Sequence, residues 1–192
     1  MASKKLRVGF DFDGVIAYNP LRVFRAPLMT VRRWFKRRPD LEFPLPRNKH
    51  FRWFWALAHE TSFFPAPGFS DLKKLLKEEQ IDAYIITGRY SFLENSLNNW
   101  LKKHKIGHLF KGIFVNKKDE QPHKFKKQMI EKLNLDAFVE DNWDIVKYLQ
   151  NISDHDKKVD TRIFWIYNLF DRFKKYPRKF PHLKDLLKNG FQ

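Results

Sequence analysis

The chain of 192 residues contains no cysteine, which excludes disulfide bonds, thiolate metal sites and a cysteine nucleophile. Acidic residues are scarce, with 22 Asp and Glu against 38 Lys and Arg, and no apolar stretch is long enough for a signal-peptide core or a membrane span. The seven histidines lack metal-ligand spacing, and the sequence has no internal repeat. Together these absences predict a cytoplasmic protein without a membrane span.

The composition predicts one folded domain with an appendage and a strongly basic surface. Hydrophobic residues make up 43% of the chain and aromatic residues 17%, which is enough for a packed core. The net charge of +16 is concentrated in residues 15–70, with ten basic against three acidic side chains, and in residues 155–192, with ten against four. Such a field attracts polyanions, so the expected partners are a small phosphorylated substrate or a nucleic acid, although a solubilising surface explains the same charge.

Two aspartates, Asp11 and Asp13, follow the apolar run Leu6–Phe10 and precede Gly14. A short apolar run that ends near a glycine predicts a buried strand, and residues two apart on a strand face the same side. Two like charges about 4 Å apart repel by roughly 4 kcal/mol at an effective dielectric of about 20. A positive group is therefore needed between them, and oxygen ligands suit Mg²⁺. A solvated turn after an edge strand is the alternative.

Further candidate residues occur at three later stations of the chain: Thr87, Gly88 and Arg89, then Lys124, then Glu140, Asp141 and Asp144. The first group ends a predicted strand at 81–86, the lysine opens a predicted helix, and the acids follow a predicted strand at 137–139. The C-terminal ends of strands in an open α/β sheet meet at one crevice, where ligands bind. The stations that end strands are therefore expected to converge.

This ordered set resembles the four motifs of the haloacid dehalogenase (HAD) superfamily of phosphohydrolases, over about Leu6 to Tyr167. The resemblance implies a three-layer, Rossmann-like α/β sandwich with a mainly parallel sheet, and the alternation of predicted strands and helices favours the same fold. The short chain, the sequence Asp-Phe-Asp-Gly-Val and the late Trp-Ile-Tyr-Asn look like the small 5′-nucleotidase-type members. The Thr-Gly-Arg motif and the basic segment after the first motif depart from the deoxyribonucleotidases of that group.

By position, the resemblance implies that Asp11 is the nucleophile, forming an aspartyl phosphate, and that Asp13 is the general acid and base. It implies Mg²⁺ held by the Asp11 carboxylate, the Asp13 backbone carbonyl and the Asp141 carboxylate. Asp141 is the primary acid of this last motif, and spacing alone does not decide whether Glu140 or Asp144 is the second acidic group.

The resemblance also implies a set of groups that hold phosphate oxygens, namely the Thr87 hydroxyl, the Gly88 amide and Lys124. Lys117 and Lys118 are alternatives to Lys124 for this role. We prefer Lys124 because it begins a helix below the crevice and precedes Asp141 by about the number of residues that the family pattern implies. Arg89 is open both as a substrate contact and as an ordinary surface residue at a helix start.

Between the first two motifs, residues 15–64 are predicted to form a helical cap inserted into a core made of residues 1–14 and 65–192. Helical periodicity over 26–38, prolines at 39, 44 and 46, and a predicted helix at 51–59 support this division. The leading hypothesis is a magnesium-dependent phosphatase acting on a phosphomonoester, with a nucleotide as one candidate substrate. The alternatives are a phosphatase for nucleic-acid ends and a non-catalytic basic module that binds nucleic acid or anionic lipid.

Overall fold

Strands and helices alternate in the computed structural model, which describes residues 5–18, 41–45, 62–155 and 160–191 together with the single residues 48, 50, 52, 53 and 56. The strands are β1 (Leu6–Phe10), β2 (Ala17–Tyr18), β3 (Phe64–Pro65), β4 (Ile81–Tyr90), β5 (Gly112–Asn116), β6 (Ala137–Glu140), β7 (Arg162–Ile166) and β8 (Lys179–Phe180). The α-helices are α1 (Phe69–Lys77), α2 (Glu94–His104), α3 (Pro122–Leu133), α4 (Trp143–His155) and α5 (Leu183–Asn189).

Six strands form one sheet in the order β5-β4-β1-β6-β7-β8, and each neighbouring pair is parallel. The strand β1 lies between β4 and β6, with Val8 opposite both Ala83 and Ala137. The C-terminal ends of these three strands therefore lie side by side. This arrangement confirms the predicted α/β class and brings three of the sequence motifs to one edge of the sheet.

Apolar clusters cover both faces of the sheet, as expected when helices connect parallel strands. On β4, Ile85 belongs to one cluster and Ile86 to the other, because successive side chains of a strand point to opposite faces. Buried residues of α1, α2 and α5 complete the first cluster, and those of α3 and α4 complete the second. The result is the predicted three-layer sandwich.

Several element boundaries differ from the sequence prediction. Strand β4 runs four residues further than predicted, to Tyr90, with an irregular register between Thr87 and Tyr90. Helix α3 begins at Pro122, where the missing N–H of proline costs no helical hydrogen bond. The two-residue strands β2, β3 and β8 were not predicted, because so short a segment has no hydrophobic periodicity to detect.

The predicted insertion leaves and re-enters the core at adjacent points. Strands β2 and β3 pair antiparallel, with Tyr18 opposite Phe64. The predicted helix at 26–38 lies outside the described residues, and in the segment 51–59 the described residues 52, 53 and 56 are helical. The division into core and cap therefore stays a prediction. Within the part of the chain that the structure describes, no helix combines the length and apolarity needed to cross a membrane.

Candidate active site

The centre of the candidate site is a buried group formed by Asp11, Lys126 and Glu140. Lys126 Nζ lies 3.0 Å from Asp11 Oδ2 and 2.6 Å from Glu140 Oε2, and all three residues are at most 5% exposed. Asp11 follows β1, Glu140 is the last residue of β6, and Lys126 reaches them from α3. One ammonium group thus joins the carboxylates that end two neighbouring strands.

The electrostatics of this group follow from its burial. Burial raises the pKa of Asp11 well above its ordinary value; Lys126 opposes the shift, and Glu140 and Asp141 add to it. Burial also raises the pKa of Glu140, again with Lys126 opposing. Burial alone would lower the pKa of Lys126, but the two carboxylates outweigh it and raise that pKa above the usual range. The lysine is therefore cationic, and its charge offsets only part of the effect of burial on the pKa values of the two acids.

Three acids can present oxygens to one cation: Asp11, Glu140 and Asp141 each offer a carboxylate oxygen, and these oxygens lie within 4.8 Å of one another. Gly14 allows Asp141 to come this close. Its φ is +82°, and a Cβ atom at this position would lie 2.3 Å from Asp141 Oδ2. The glycine after the aspartate pair is thus required both by the backbone conformation and by the space that Asp141 occupies.

The other two predicted acids are placed differently. Glu140 Oε1 accepts hydrogen bonds from the backbone N–H groups of Asp141 and Asn142, so this side chain holds the turn after β6 as well as Lys126. Asp144 is buried in the first turn of α4, where its N–H donates to the Asn142 side chain and its carboxylate lies 3.8 Å from Lys147 Nζ. The structure does not include Asp144 in the three-acid cluster.

The structure places Lys126, and not the predicted Lys124, beside Asp11. Lys124 is exposed on α3, whereas Lys126 is buried and contacts Asp11. The reason is helical phase: the buried residues His123, Lys126 and Ile130 are spaced three and four apart, and Lys124 points away from that face. The signal was present in the sequence, because Lys126 is four residues before the apolar Ile130. Lys117 is also outside the cluster and pairs with Glu94 at 2.8 Å.

Asp13 is held by a buried arginine. Arg89 Nε and one terminal guanidinium nitrogen each lie 2.7 Å from a different Asp13 oxygen, and Ser62 Oγ donates to Asp13 Oδ1 at 2.7 Å. The guanidinium also lies 4.7 Å from the centre of the Phe12 ring. Arg89 is 3% exposed, so it is not an ordinary surface residue. Ser62 was not predicted, because it is 49 residues from Asp13 in sequence. It lies near the end of the insertion, where the sequence shows no hydrophobic periodicity.

We expect Arg89→Lys to lower the free energy of unfolding by about 1–2 kcal/mol, because an ammonium group cannot keep both hydrogen bonds or the stacking on Phe12. Urea denaturation would measure the change. The matched control is Arg162→Lys, because Arg162 is partly exposed and forms no such two-pronged pair with an acid in the described part of the chain. Equal effects at the two positions would contradict the structural importance of the Asp13–Arg89 pair.

Thr87 and Gly88 lie where the sequence places them, on the wall of the same pocket. The pocket has a volume of about 70 Å³, and its polar wall is formed by Asp11, Asp13, Thr87, Arg89, Lys126, Glu140 and Asn142. Gly88 packs against α3, because a Cβ atom there would lie 2.8 Å from Pro122 Cβ. Phe43, from the predicted insertion, also lines the pocket, and its backbone N–H donates to the Gln121 side chain at 2.8 Å.

Comparison with solved structures identifies the fold. CbbY from Rhodobacter sphaeroides, in complex with phosphate, is 15% identical, with a TM-score of 0.58 over 95% of this chain and 96% of that chain. YfnB from Bacillus subtilis, assigned to the HAD hydrolases and bound to magnesium, is 14% identical, with a TM-score of 0.57 over 97% and 98%. A HAD-superfamily hydrolase from Ehrlichia chaffeensis is 13% identical, with a TM-score of 0.53 over 97% of each chain.

The chain therefore has the HAD-like α/β fold that its four motifs implied. Neither a protein-family model nor a curated protein sequence matches it. The narrower resemblance to the small 5′-nucleotidase-type group stays a prediction.

Proposed function

We propose that this protein is a magnesium-dependent phosphatase that hydrolyses a phosphomonoester through an aspartyl phosphate on Asp11. The observation that carries the proposal is the meeting of Asp11, Asp13 and Lys126 on the wall of one small pocket, at the edge of the sheet where ligands bind in this class of fold. CbbY, which shares the fold, was solved with phosphate bound.

The charge of the site supports a divalent cation. Four carboxylates, from Asp11, Asp13, Glu140 and Asp141, stand against two cationic side chains, those of Lys126 and Arg89. When all six are ionised, the site is two positive charges short of neutrality, and it is one charge short when Asp13 carries the proton that it donates in the reaction. The donors are oxygen atoms, which suit Mg²⁺. Glu140 is already engaged by Lys126 and two backbone N–H groups, so we assign the carboxylate ligands to Asp11 and Asp141.

The two aspartates carry out the bond-making and proton-transfer steps of this reaction, and other groups on the pocket wall bind the phosphoryl oxygens. The Asp11 carboxylate attacks phosphorus, and the bond to the leaving oxygen breaks as that oxygen takes a proton from Asp13. In the second half, Asp13 accepts a proton from the water that attacks the aspartyl phosphate, which releases inorganic phosphate and restores Asp11. Lys126, Thr87 and the Gly88 amide stabilise the phosphoryl oxygens.

When bound, Mg²⁺ neutralises the charge shared by the nucleophile and the phosphoryl oxygens. Arg89 and Ser62 position the Asp13 side chain for its two proton transfers.

We propose that residues 15–64 form a cap over this pocket. Strands β2 and β3 form its stem, and Phe43 reaches the pocket wall. Tyr90, whose hydroxyl donates to Pro44 O at 3.1 Å, holds the same segment against the core. Burial raises the pKa of Tyr90 to about 12, so its hydroxyl stays protonated and able to donate well into the alkaline range. A cap in this position would exclude water and select the leaving group.

We expect phosphate release from para-nitrophenyl phosphate to require Mg²⁺ and to stop when EDTA removes it. Mg²⁺ should also raise the melting temperature, because ligand at about 100 times its Kd stabilises a folded protein by roughly 2.7 kcal/mol. Asp141→Asn should lose most of this thermal shift. The same activity in EDTA as in Mg²⁺ would contradict the metal requirement, and no release under either condition would contradict the enzyme.

A further inference from the structure

A surface loop after β7 exposes an unusual amount of apolar surface. In the 169–175 loop, which runs from Leu169 to Lys175, the exposed fractions are 63% for Leu169, 56% for Phe170 and 78% for Phe173. Large apolar side chains grouped on one exposed segment mark an interaction site more often than scattered ones do. This loop is therefore a candidate docking surface.

Polar contacts fix the backbone of the 169–175 loop. The Asn168 side chain accepts hydrogen bonds from the N–H groups of Phe170 and Asp171, and buried Asp171 pairs with Lys174. From the following strand, Lys179 Nζ donates to the carbonyl oxygens of residues 172 and 174 at 2.8 and 2.7 Å. Asp171 and the backbone groups engaged by these contacts thus face inward, whereas Leu169, Phe170 and Phe173 face outward, so the surface is preorganised, which lowers the entropy cost of binding.

The loop lies at the same edge of the sheet as the candidate site. Lys174 Nζ is 5.5 Å from the centre of the Trp143 ring, and Trp143 is two residues after Asp141. The Trp143 ring in turn lies 4.4 Å from that of Trp165, whose indole N–H donates to the Asp141 carbonyl at 3.2 Å. Packed aromatic rings therefore connect the loop with the turn that carries Asp141.

The charge of the loop favours an anionic partner. Residues 169–179 contain five basic side chains and one acidic one. Arg172 lies over the Phe173 ring at 4.5 Å, and neither Arg172 nor Lys175 forms an ion pair with another described residue. Exposed aromatic rings stack on bases, and nearby cations attract backbone phosphates.

We propose that the 169–175 loop binds a single-stranded nucleic acid whose terminal phosphate enters the pocket, so that the substrate is a phosphorylated strand end. This substrate class rests on the proposed phosphatase function. The pocket of about 70 Å³ is far smaller than the roughly 300–1,000 Å³ of sites for drug-sized ligands, so it suits a phosphoryl group and leaves the rest of the substrate outside. The loop offers that remainder a stacking and cationic surface.

Fluorescence anisotropy in EDTA, with labelled oligothymidylate carrying a 3′- or a 5′-phosphate, tests binding apart from catalysis. We expect Phe170→Ala/Phe173→Ala and Arg172→Ala/Lys175→Ala each to raise Kd by about tenfold or more. The matched control is Lys102→Ala/Lys103→Ala, which removes the same charge from exposed residues at the far end of α2 and should change Kd by less than about twofold. Wild-type affinity should fall by about 10² or more between 50 and 200 mM salt.

Steady-state kinetics then separate the two proposals. For the phosphorylated oligonucleotide, kcat/KM should fall in the loop variants, whereas hydrolysis of para-nitrophenyl phosphate should stay at the wild-type rate. If neither substrate is hydrolysed, the phosphatase proposal and the strand-end substrate fail, and anisotropy still decides whether the loop binds the strand.

Four results would overturn the docking proposal. The first is unchanged oligonucleotide binding in both loop variants, and the second is an equal loss of activity on both substrates. The third is a wild-type protein that binds phosphatidylserine vesicles but not the oligonucleotide. The fourth is a wild-type protein that has no affinity for nucleic acid but forms a dimer, which dissociates in Phe170→Ala/Phe173→Ala. The third would assign the loop to an anionic membrane surface, and the fourth to a second copy of this chain.

Discussion

Asp11→Asn is expected to reduce phosphate release by at least about 10⁴-fold, because a carboxamide cannot serve as the nucleophile. The substitution keeps the shape of the side chain and removes one negative charge from a buried cluster that has a shortage of positive charge. Since burial and the neighbouring acids raise the pKa of Asp11 well above its ordinary value, the folded protein should tolerate the amide. Stopped or continuous phosphate assays at saturating Mg²⁺ would measure the loss.

Thermal denaturation supplies the control for Asp11→Asn. We expect its melting temperature without metal to be equal to or higher than that of the wild type, because repulsion with Glu140 and Asp141 is relieved. Asp144→Asn is the matched variant, since Asp144 is also buried but lies outside the three-acid cluster. A comparable loss of activity in both variants, or wild-type activity in Asp11→Asn, would contradict the assigned nucleophile.

Local sequence patterns were sufficient to predict the central strands of the sheet and the residues that follow their C-terminal ends. The run Leu6–Phe10 forms β1 with the predicted bounds, and the aspartates after it occupy the edge where β4 and β6 also end. Thr87 lies on the wall of the same pocket as Asp11, because its strand neighbours the strand that Asp11 follows. These features follow from hydrophobic runs and from the rule that ligands bind at the C-terminal edge of parallel strands.

The contacts that sequence reasoning missed depend on side-chain direction or on long-range packing. The sequence leaves Arg89 open as a substrate contact or a surface residue; in the structure it is buried, pairs with Asp13, 76 residues earlier, and lines the pocket. Ser62 joins the same pair from the end of the insertion. No periodicity predicts such contacts, because they depend on how the insertion returns to the core. The chemical roles of these residues stay proposals.

The choice between two lysines on one helix allows the sharpest test of the site geometry. Lys126→Met removes the ammonium group that lies between Asp11 and Glu140 and keeps a side chain of similar length. Breaking a buried ion pair on one side typically costs about 3–5 kcal/mol, because the remaining charges are left uncompensated. We also expect turnover to fall by about 10²–10³-fold, since a preorganised cation near the phosphoryl oxygens is lost.

Lys124→Met is the matched control, since it makes the same chemical change two residues earlier on α3, where the side chain is exposed. We expect its free energy of unfolding to stay within about 0.5 kcal/mol of wild type and its turnover to be unchanged. Urea denaturation and phosphate release, measured for both variants, decide between two lysines. One is Lys124, which the family resemblance favours, and the other is Lys126, which lies on the buried face of α3. A larger loss in Lys124→Met than in Lys126→Met would reverse the assignment, because the exposed lysine would then have to reach the phosphoryl group in the working enzyme.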